Sequence, residues 1–179
     1  MPVRADAPRF APEAGAPASP CDVRTATLRD RVPLQRMLEL YQHDLSDVWD
    51  QDLDAQGEYG YALDAFWLAP GCHAFVALVA GRYAGFALVD TRVRVGAQGH
   101  WMDQFCVLKK YRRRGVGRRL AQAVFDALPG RWEVGQMPGN LPAQAFWRDV
   151  IGERTAGGYT EHVLHDGPWQ GVVQAFNSA

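Results

Sequence analysis

Cysteine is scarce in this chain, and its placement excludes two classes at once. The three cysteines, Cys21, Cys72 and Cys106, are odd in number and far apart in 179 residues. No CxxC pair and no Cys/His cluster is present, so neither a disulfide framework nor a metal site is expected. A reducing cytoplasm is the simplest compartment for such a chain. No apolar run approaches the ~18 residues of a membrane span, so no membrane association is expected. The first residues lack the apolar centre of a secretory signal. A dominant charge is missing too: the formal net charge is −1, which argues against a nucleic-acid partner for the chain as a whole. There is no internal repeat. One long stretch, from Arg36 to Arg82, contains no Lys or Arg between those two residues.

What is present is core material. Hydrophobic residues make up 47% and aromatics 11% of the chain, enough for one globular domain. Residues 1–20 hold six alanines and five prolines with little periodicity. They read as a disordered tail, with the folded domain at 21–179. Val23–Leu28 suits a first strand. Leu34, Met37, Leu38, Tyr41 and Leu45 recur at helical spacing, and Tyr61–Leu68 reads as a shorter helix before Pro70-Gly71. Phe75–Val79 and Tyr83–Val89 flank Ala80-Gly81-Arg82, a hairpin signal. Trp101–Leu108 is a further strand, Val116–Leu128 a helix stopped by Pro129-Gly130, and Arg131–Met137 another strand. Asn140 suits an N-cap, with Pro142 in the first turn of the helix that follows. Strands near Tyr159–His165 and Gly171–Phe176 close the order. That order implies an α/β sheet with helices on its faces.

The chemistry concentrates in Val107–Gly117, where a strand ends, a basic loop follows and a helix begins. A helix start exposes unpaired N–H groups and the positive end of its dipole, a ready anion site. Gly115 and Gly117 let backbone approach a ligand, and Arg112, Arg113 and Arg114 add charge. A phosphate or pyrophosphate is the natural ligand. The Gly-Lys-Ser/Thr of a Walker loop is absent, and the dinucleotide G-x-G-x-x-G stops short at G-x-G. Seven basic residues in Lys109–Arg119 also fit a solvated loop or an RNA-binding patch.

At these residues the chain resembles the GNAT superfamily of N-acetyltransferases. Arg112-x-x-Gly115-x-Gly117 is similar to that family's pyrophosphate loop, with Val107 and Tyr111 at their usual places. Asn140-x-x-Ala143-x-x-Phe146-Trp147 is similar to its segment on the following helix. The resemblance is clear over roughly 72–165. It implies a mixed, mostly antiparallel central sheet with helices on both faces, and acetyl-CoA as co-substrate. It further implies that the backbone of Phe105, Cys106 and Val107 pairs with the pantetheine arm. Backbone N–H groups from Arg112 through Val116 to Gly117 would hold the pyrophosphate, and Asn140 and Phe146 would flank the arm. Phe146 equally suits plain core packing. Dimers are common among such relatives, so a homodimer is allowed.

In that family the amine attacks the thioester directly, so Cys106 reads as a structural thiol and not a nucleophile. Asp103, on the strand feeding the loop, is the candidate base, or else a strand-end carboxylate facing water. A bulge would upset the alternation that decides its face. Glu161 and His162 are weaker candidates. Trp147 stands where the family often has a tyrosine, and indole cannot protonate a thiolate. Tyr159 or water is the alternative acid. The acceptor is a small-molecule or peptide amine. Eight acidic residues lie between Arg36 and Arg82, either as a solvated surface or as a lure for a cationic amine. Asp44 and Asp47 are the candidate substrate contacts. The reading is an acetyl-CoA-dependent N-acetyltransferase. Its rivals are a non-catalytic acyl-CoA-binding regulatory domain and an RNA-binding module using Lys109–Arg119.

Overall fold

The computed structural model describes residues 20–167 and 169–178; the tail assigned to 1–20 therefore lies, apart from Pro20, outside the described residues. The element order is β1 (Cys21–Thr25), α1 (Arg31–Trp49), α2 (Ala65–Leu68), β2 (His73–Val79), β3 (Arg82–Asp90), β4 (His100–Val107), α3 (Val116–Ala127), β5 (Gly130–Gln136), α4 (Leu141–Thr155), β6 (Tyr159–Leu164) and β7 (Gly171–Ser178). The strands form one seven-stranded sheet ordered β1-β2-β3-β4-β5-β7-β6. Every neighbouring pair is antiparallel except β4 and β5. The mixed, mostly antiparallel sheet expected from the sequence is the one observed.

Helices cover both faces because the strands bury both. On one face Phe75, Ala87, Val89, Met102, Trp132, Val134 and Phe176 pack on Val116, Leu120, Val124, Trp147 and Val150 of α3 and α4. On the other, Val76, Phe86, Leu88 and Cys106 meet Leu34, Met37 and Leu38 of α1 and Phe66 of α2. The alternation of a pleated strand sorts these two sets.

Several boundaries differ from expectation for local reasons. The first strand stops at Thr25 because the buried Asp30 carboxylate gathers donors there. It accepts from the Thr27 N–H at 2.7 Å, from both ends of the Arg24 guanidinium at 2.8 Å and from the Tyr83 hydroxyl at 2.7 Å. The second helix starts only at Ala65, since the Tyr61 carbonyl is taken by the Gln35 side chain at 3.0 Å. The β2–β3 hairpin turns on Ala80 and Gly81, with φ of 49° and 72°. Positive φ at both central residues fits a type I′ turn.

Candidate functional site

The sheet opens in one place. β4 and β5 pair only across His100–Met102 and Trp132–Val134. Immediately beyond Met102 the β3–β4 register slips, with Leu88 opposite Gln104 but Val89 opposite Met102. Asp103 is the extra residue of that bulge. A bulge bends its strand, and here β4 and β5 part company beyond it. Leu108 N–H donates to Ala84 O at 2.9 Å. Antiparallel alternation then turns the backbone of Cys106 and Gln104 toward β3, and that of Phe105 and Val107 toward the gap. The expectation that Cys106 offers its backbone to a ligand is therefore corrected: β3 engages it.

The Arg112–Gly117 loop follows the end of β4 that is free of β5. Gly115, at φ 76°, is the N-cap of α3 and has no side-chain cap, while Arg113 also takes a left-handed backbone at φ 60°. The first amide of this stretch with a helical acceptor is Arg119 N–H, bonded to Gly115 O at 3.0 Å. Among the described residues, the N–H groups from Arg113 to Arg118 find no acceptor within the chain. This is the donor set an oxyanion group requires at a helix start. A Cβ on Gly117 would lie 3.2 Å from the Phe146 ring and 3.5 Å from Val107 Cγ2. The bare glycine thus lets α3, α4 and the end of β4 converge.

Asn140 caps α4, its Oδ1 accepting from Ala143 N–H at 3.2 Å. Phe146 stands at the gap and also packs, with its ring centroid 5.7 Å from Phe105 and 5.0 Å from Trp147. Trp147 is buried against Phe105 and Phe125.

Asp103 faces the α1–α2 side, largely buried, where it accepts a short hydrogen bond from the Tyr61 hydroxyl and lies 3.3 Å from Arg92 Nη2. Burial pushes the Asp103 carboxyl above the ordinary carboxylate range, against the pull of the Tyr61 hydrogen bond. Burial also raises the Tyr61 hydroxyl, and the nearby Asp103 charge adds to it. Tyr41 packs edge-on to Phe86. Burial pushes the Cys106 thiol up to about 12, so the sulfur stays protonated near neutrality.

Two expectations about side chains need correction. Tyr159 lies on β6, opposite Phe176 and beside Gly152 of α4, packed on the core with β5 and β7 between it and β4. The phenol that reaches Asp103 is Tyr61, 42 residues away along the chain. Asp44 holds Lys109 at 2.8 Å and Arg112 at 2.6 Å, while Arg112 Nε donates to Val107 O at 2.7 Å. Burial pushes the Asp44 carboxyl up, but its two cationic hydrogen-bond donors outweigh that and hold it below the usual range. Asp44 therefore braces the anion loop and is not free for an amine. Glu39 accepts from Tyr59 N–H, Asp54 from Gln56 and Glu58 N–H, and Asp64 pairs with Arg31. Half of the acidic block is thus held in local structure.

Asp47 is exposed and lines a cleft of about 650 Å³ between the end of α1, the β5–α4 loop and the β6–β7 connection. Sequence reasoning missed Trp169 as one of its walls and Arg92 as a neighbour of Asp103. No local spacing joins them. The glycines Gly135 and Gly171, which make room for Trp169, were the one available signal. In the basic run, Arg118 is engaged by Asp149 and Glu153. Among the described residues no group of three His, Cys, Asp or Glu could hold a metal ion, and no helix is long and apolar enough to cross a membrane.

Known proteins share this architecture. The family model described as the acetyltransferase (GNAT) family matches residues 34–152. No curated protein sequence matches the chain. Among solved structures, an acetyltransferase from Thermus thermophilus superposes with a TM-score of 0.63 at 18% identity, over 88% of this chain and 96% of its own. A GNAT-family acetyltransferase from Staphylococcus aureus gives 0.59 at 14% identity, over 89% and 100%. The ribosomal-protein-S18-alanine N-acetyltransferase of Escherichia coli gives 0.59 at 16% identity, over 89% and 94%. At these identities the likeness is one of fold.

Proposed function

The chain belongs to the GNAT acetyltransferase family, a family of acyl transfer, and from that membership we propose that it moves an acetyl group from acetyl-CoA to an amine by direct attack. The observation that supports this best is the gap between β4 and β5, with unengaged amides at one end and a buried carboxylate at the bulge. Pyrophosphate would lie on the N–H groups from Arg113 to Arg118, drawn by the helix start and the loop's arginines. The pantetheine amides would bond the open backbone of Phe105 and the Val107 N–H, with Asn140 and Phe146 on the opposite side. The thioester would then sit near Asp103.

In the transfer, the amine nitrogen bonds to the thioester carbon and the carbon–sulfur bond breaks. Asp103 takes the proton released from nitrogen, directly or through a water. A carboxyl held above its usual range by burial is a better base near neutral pH than an exposed one. The leaving thiolate receives the Tyr61 proton, and Asp103 restores it, so every proton is returned. Trp147 takes no part in proton transfer.

Calorimetry with coenzyme A, followed by thiol release from acetyl-CoA across a panel of amines, tests the reading. Coenzyme binding together with amine-dependent release is the expected result. Binding without release from any amine would favour an acyl-CoA-binding regulatory domain. Absence of coenzyme binding would overturn the reading.

A further inference from the structure

The cleft at the end of α1 is built, and its construction points to a ligand class. Its outer wall is Trp169, from the β6–β7 connection. A Cβ on Gly135 of β5 would lie 2.7 Å from Trp169 Cζ2, and one on Gly171 of β7 would lie 2.8 Å from its Cη2. Gly135 is thus bare beneath the indoles of both Trp101 and Trp169, and Gly171 is bare for the Gln136 carbonyl as well as for Trp169. Trp101 meets the same ring edge-on at 5.3 Å, with the Arg94 guanidinium 4.9 Å from the Trp101 ring centre. Trp169 is thereby anchored to the sheet and is not a loose loop residue. The facing wall is the last turn of α1, where Trp49 is 46% exposed. Val48 closes over Gly139, whose Cβ, if present, would be 3.7 Å from Val48 Cγ1. Met137 joins them in lining the cleft. The charged side chain lining it is Asp47, which has no ion-pair partner among the described residues.

The cleft also has a place relative to the gap. β5 leaves β4 after Val134, and Met137 lies three residues further on, ~10 Å along an extended chain. On α1, Tyr41 is within range of the Asp103 charge, and Asp47 is six residues on, ~9 Å along a helix. The cleft thus lies within reach of the gap, ~10 Å of chain from the point where each of these two elements leaves it.

We infer that this cleft binds a cationic group on an apolar or aromatic body, with Trp49 and Trp169 as walls and Asp47 as counter-charge, and that the reacting nitrogen of the acceptor is a second amine reaching toward Asp103. Indole faces attract cations, and more strongly when water is excluded. A volume of about 650 Å³ lies within the range of small-molecule sites. The identification of the second amine rests on the acetyl-transfer reading; the binding of the cation does not.

The test uses benzyltrimethylammonium, which carries a cation and an aromatic ring but no nitrogen that can be acetylated. Calorimetry on the full chain without coenzyme should show it binding at least ~10-fold more tightly than benzyl alcohol or phenylacetate. Asp47→Asn and Trp49→Ala should each weaken it several-fold, and the exposed Asp52→Asn should not. Trp169→Ala should weaken it as well; Trp49→Ala, at an exposed helix end, gives the result independently if the former unfolds. In turnover the probe should compete with diamines, and diamines should be used better than the matching monoamines. Equal affinity for cation and alcohol, or no change in Asp47→Asn, would overturn the cation site. Binding of the probe with no thiol release from any amine would leave the cleft standing and overturn the acetyl-transfer reading.

Discussion

The two sides of the β4–β5 gap are made of different material. The part of the coenzyme side assigned to the pyrophosphate is one short segment, Arg113–Arg118, acting through backbone amides and a helix start. The side assigned to the acceptor is assembled from side chains on five segments: Asp47 and Trp49 from α1, Tyr61 from the loop after it, Arg92 after β3, Asp103 at the bulge and Trp169 before β7. A backbone site tolerates change in its side chains as long as the chain can follow its path. A side-chain site is changed one residue at a time. Substitutions should therefore be all-or-none on the coenzyme side and graded on the acceptor side.

The largest effect is expected at Gly117. A Cβ there already crowds Phe146 at 3.2 Å, and a carboxylate would face the phosphates. Gly117→Glu should abolish coenzyme binding in calorimetry while the protein remains folded. Arg114→Ala, by contrast, removes one exposed charge and should weaken binding only a few-fold, with the loss shrinking in salt. If Arg114→Ala matched Gly117→Glu, the site would be one of side chains and the comparison would fail.

Next comes Asp103. Asp103→Asn should lower turnover ~10²-fold with coenzyme affinity unchanged. Because burial raises its pKa in the folded protein, turnover should climb with pH through a value above the ordinary carboxylate range. Stability runs the other way. A raised folded pKa gives a contribution fully present below the unfolded pKa and lost as pH rises through the folded pKa. Near neutrality Asp103→Asn should therefore melt no lower than the parent, which a thermal scan would check.

Tyr61→Phe tests whether the acceptor side works as a unit. The Tyr61 hydrogen bond lowers the Asp103 pKa, so its loss should move the rising limb of the pH–rate profile to higher pH. Turnover should also drop, through loss of a proton donor, by up to the ~10² of a general acid. A fall in turnover with an unmoved limb would show that Tyr61 does not communicate with Asp103.

The same contrast explains what was legible in the sequence. The strand-to-helix loop with its open amides could be read because strand end, Gly115, Gly117 and helix start are contiguous, and because its geometry is that of backbone. Asn140 as a cap was legible for the same reason. The mostly antiparallel sheet followed from element order and from resemblance. The Tyr61–Asp103 contact spans 42 residues and Arg112–Asp44 spans 68, and no periodicity reports such separations. Tyr159 is near the coenzyme-side helix in sequence, but β6 is an edge strand of the sheet, separated from β4 by β5 and β7. The bulge that sets the Asp103 face depends on the β3–β4 register, which is a property of two strands and not of one.

The smallest effect is expected where the two sides touch. Asp44, on α1, holds Lys109 and Arg112 of the anion loop, and Asp47 lies one helical turn further on, at the cleft. Two readings of Asp44 predict opposite results. As a contact for a cationic acceptor, its removal would raise the KM for amines. As a brace that partly neutralises the loop, its removal frees two cations for an anionic coenzyme. The geometry favours the brace, because both carboxylate oxygens are already engaged. Asp44→Asn should therefore tighten coenzyme binding ~3-fold at low salt, within the range of partly exposed ion pairs, and the gain should vanish as salt screens it. The parent should lose the brace as pH falls through the lowered Asp44 pKa, since a depressed carboxylate contributes stability only above its unfolded value. Acid melting of Asp44→Asn should be correspondingly flatter. An unchanged coenzyme affinity with a raised amine KM would return Asp44 to the acceptor side.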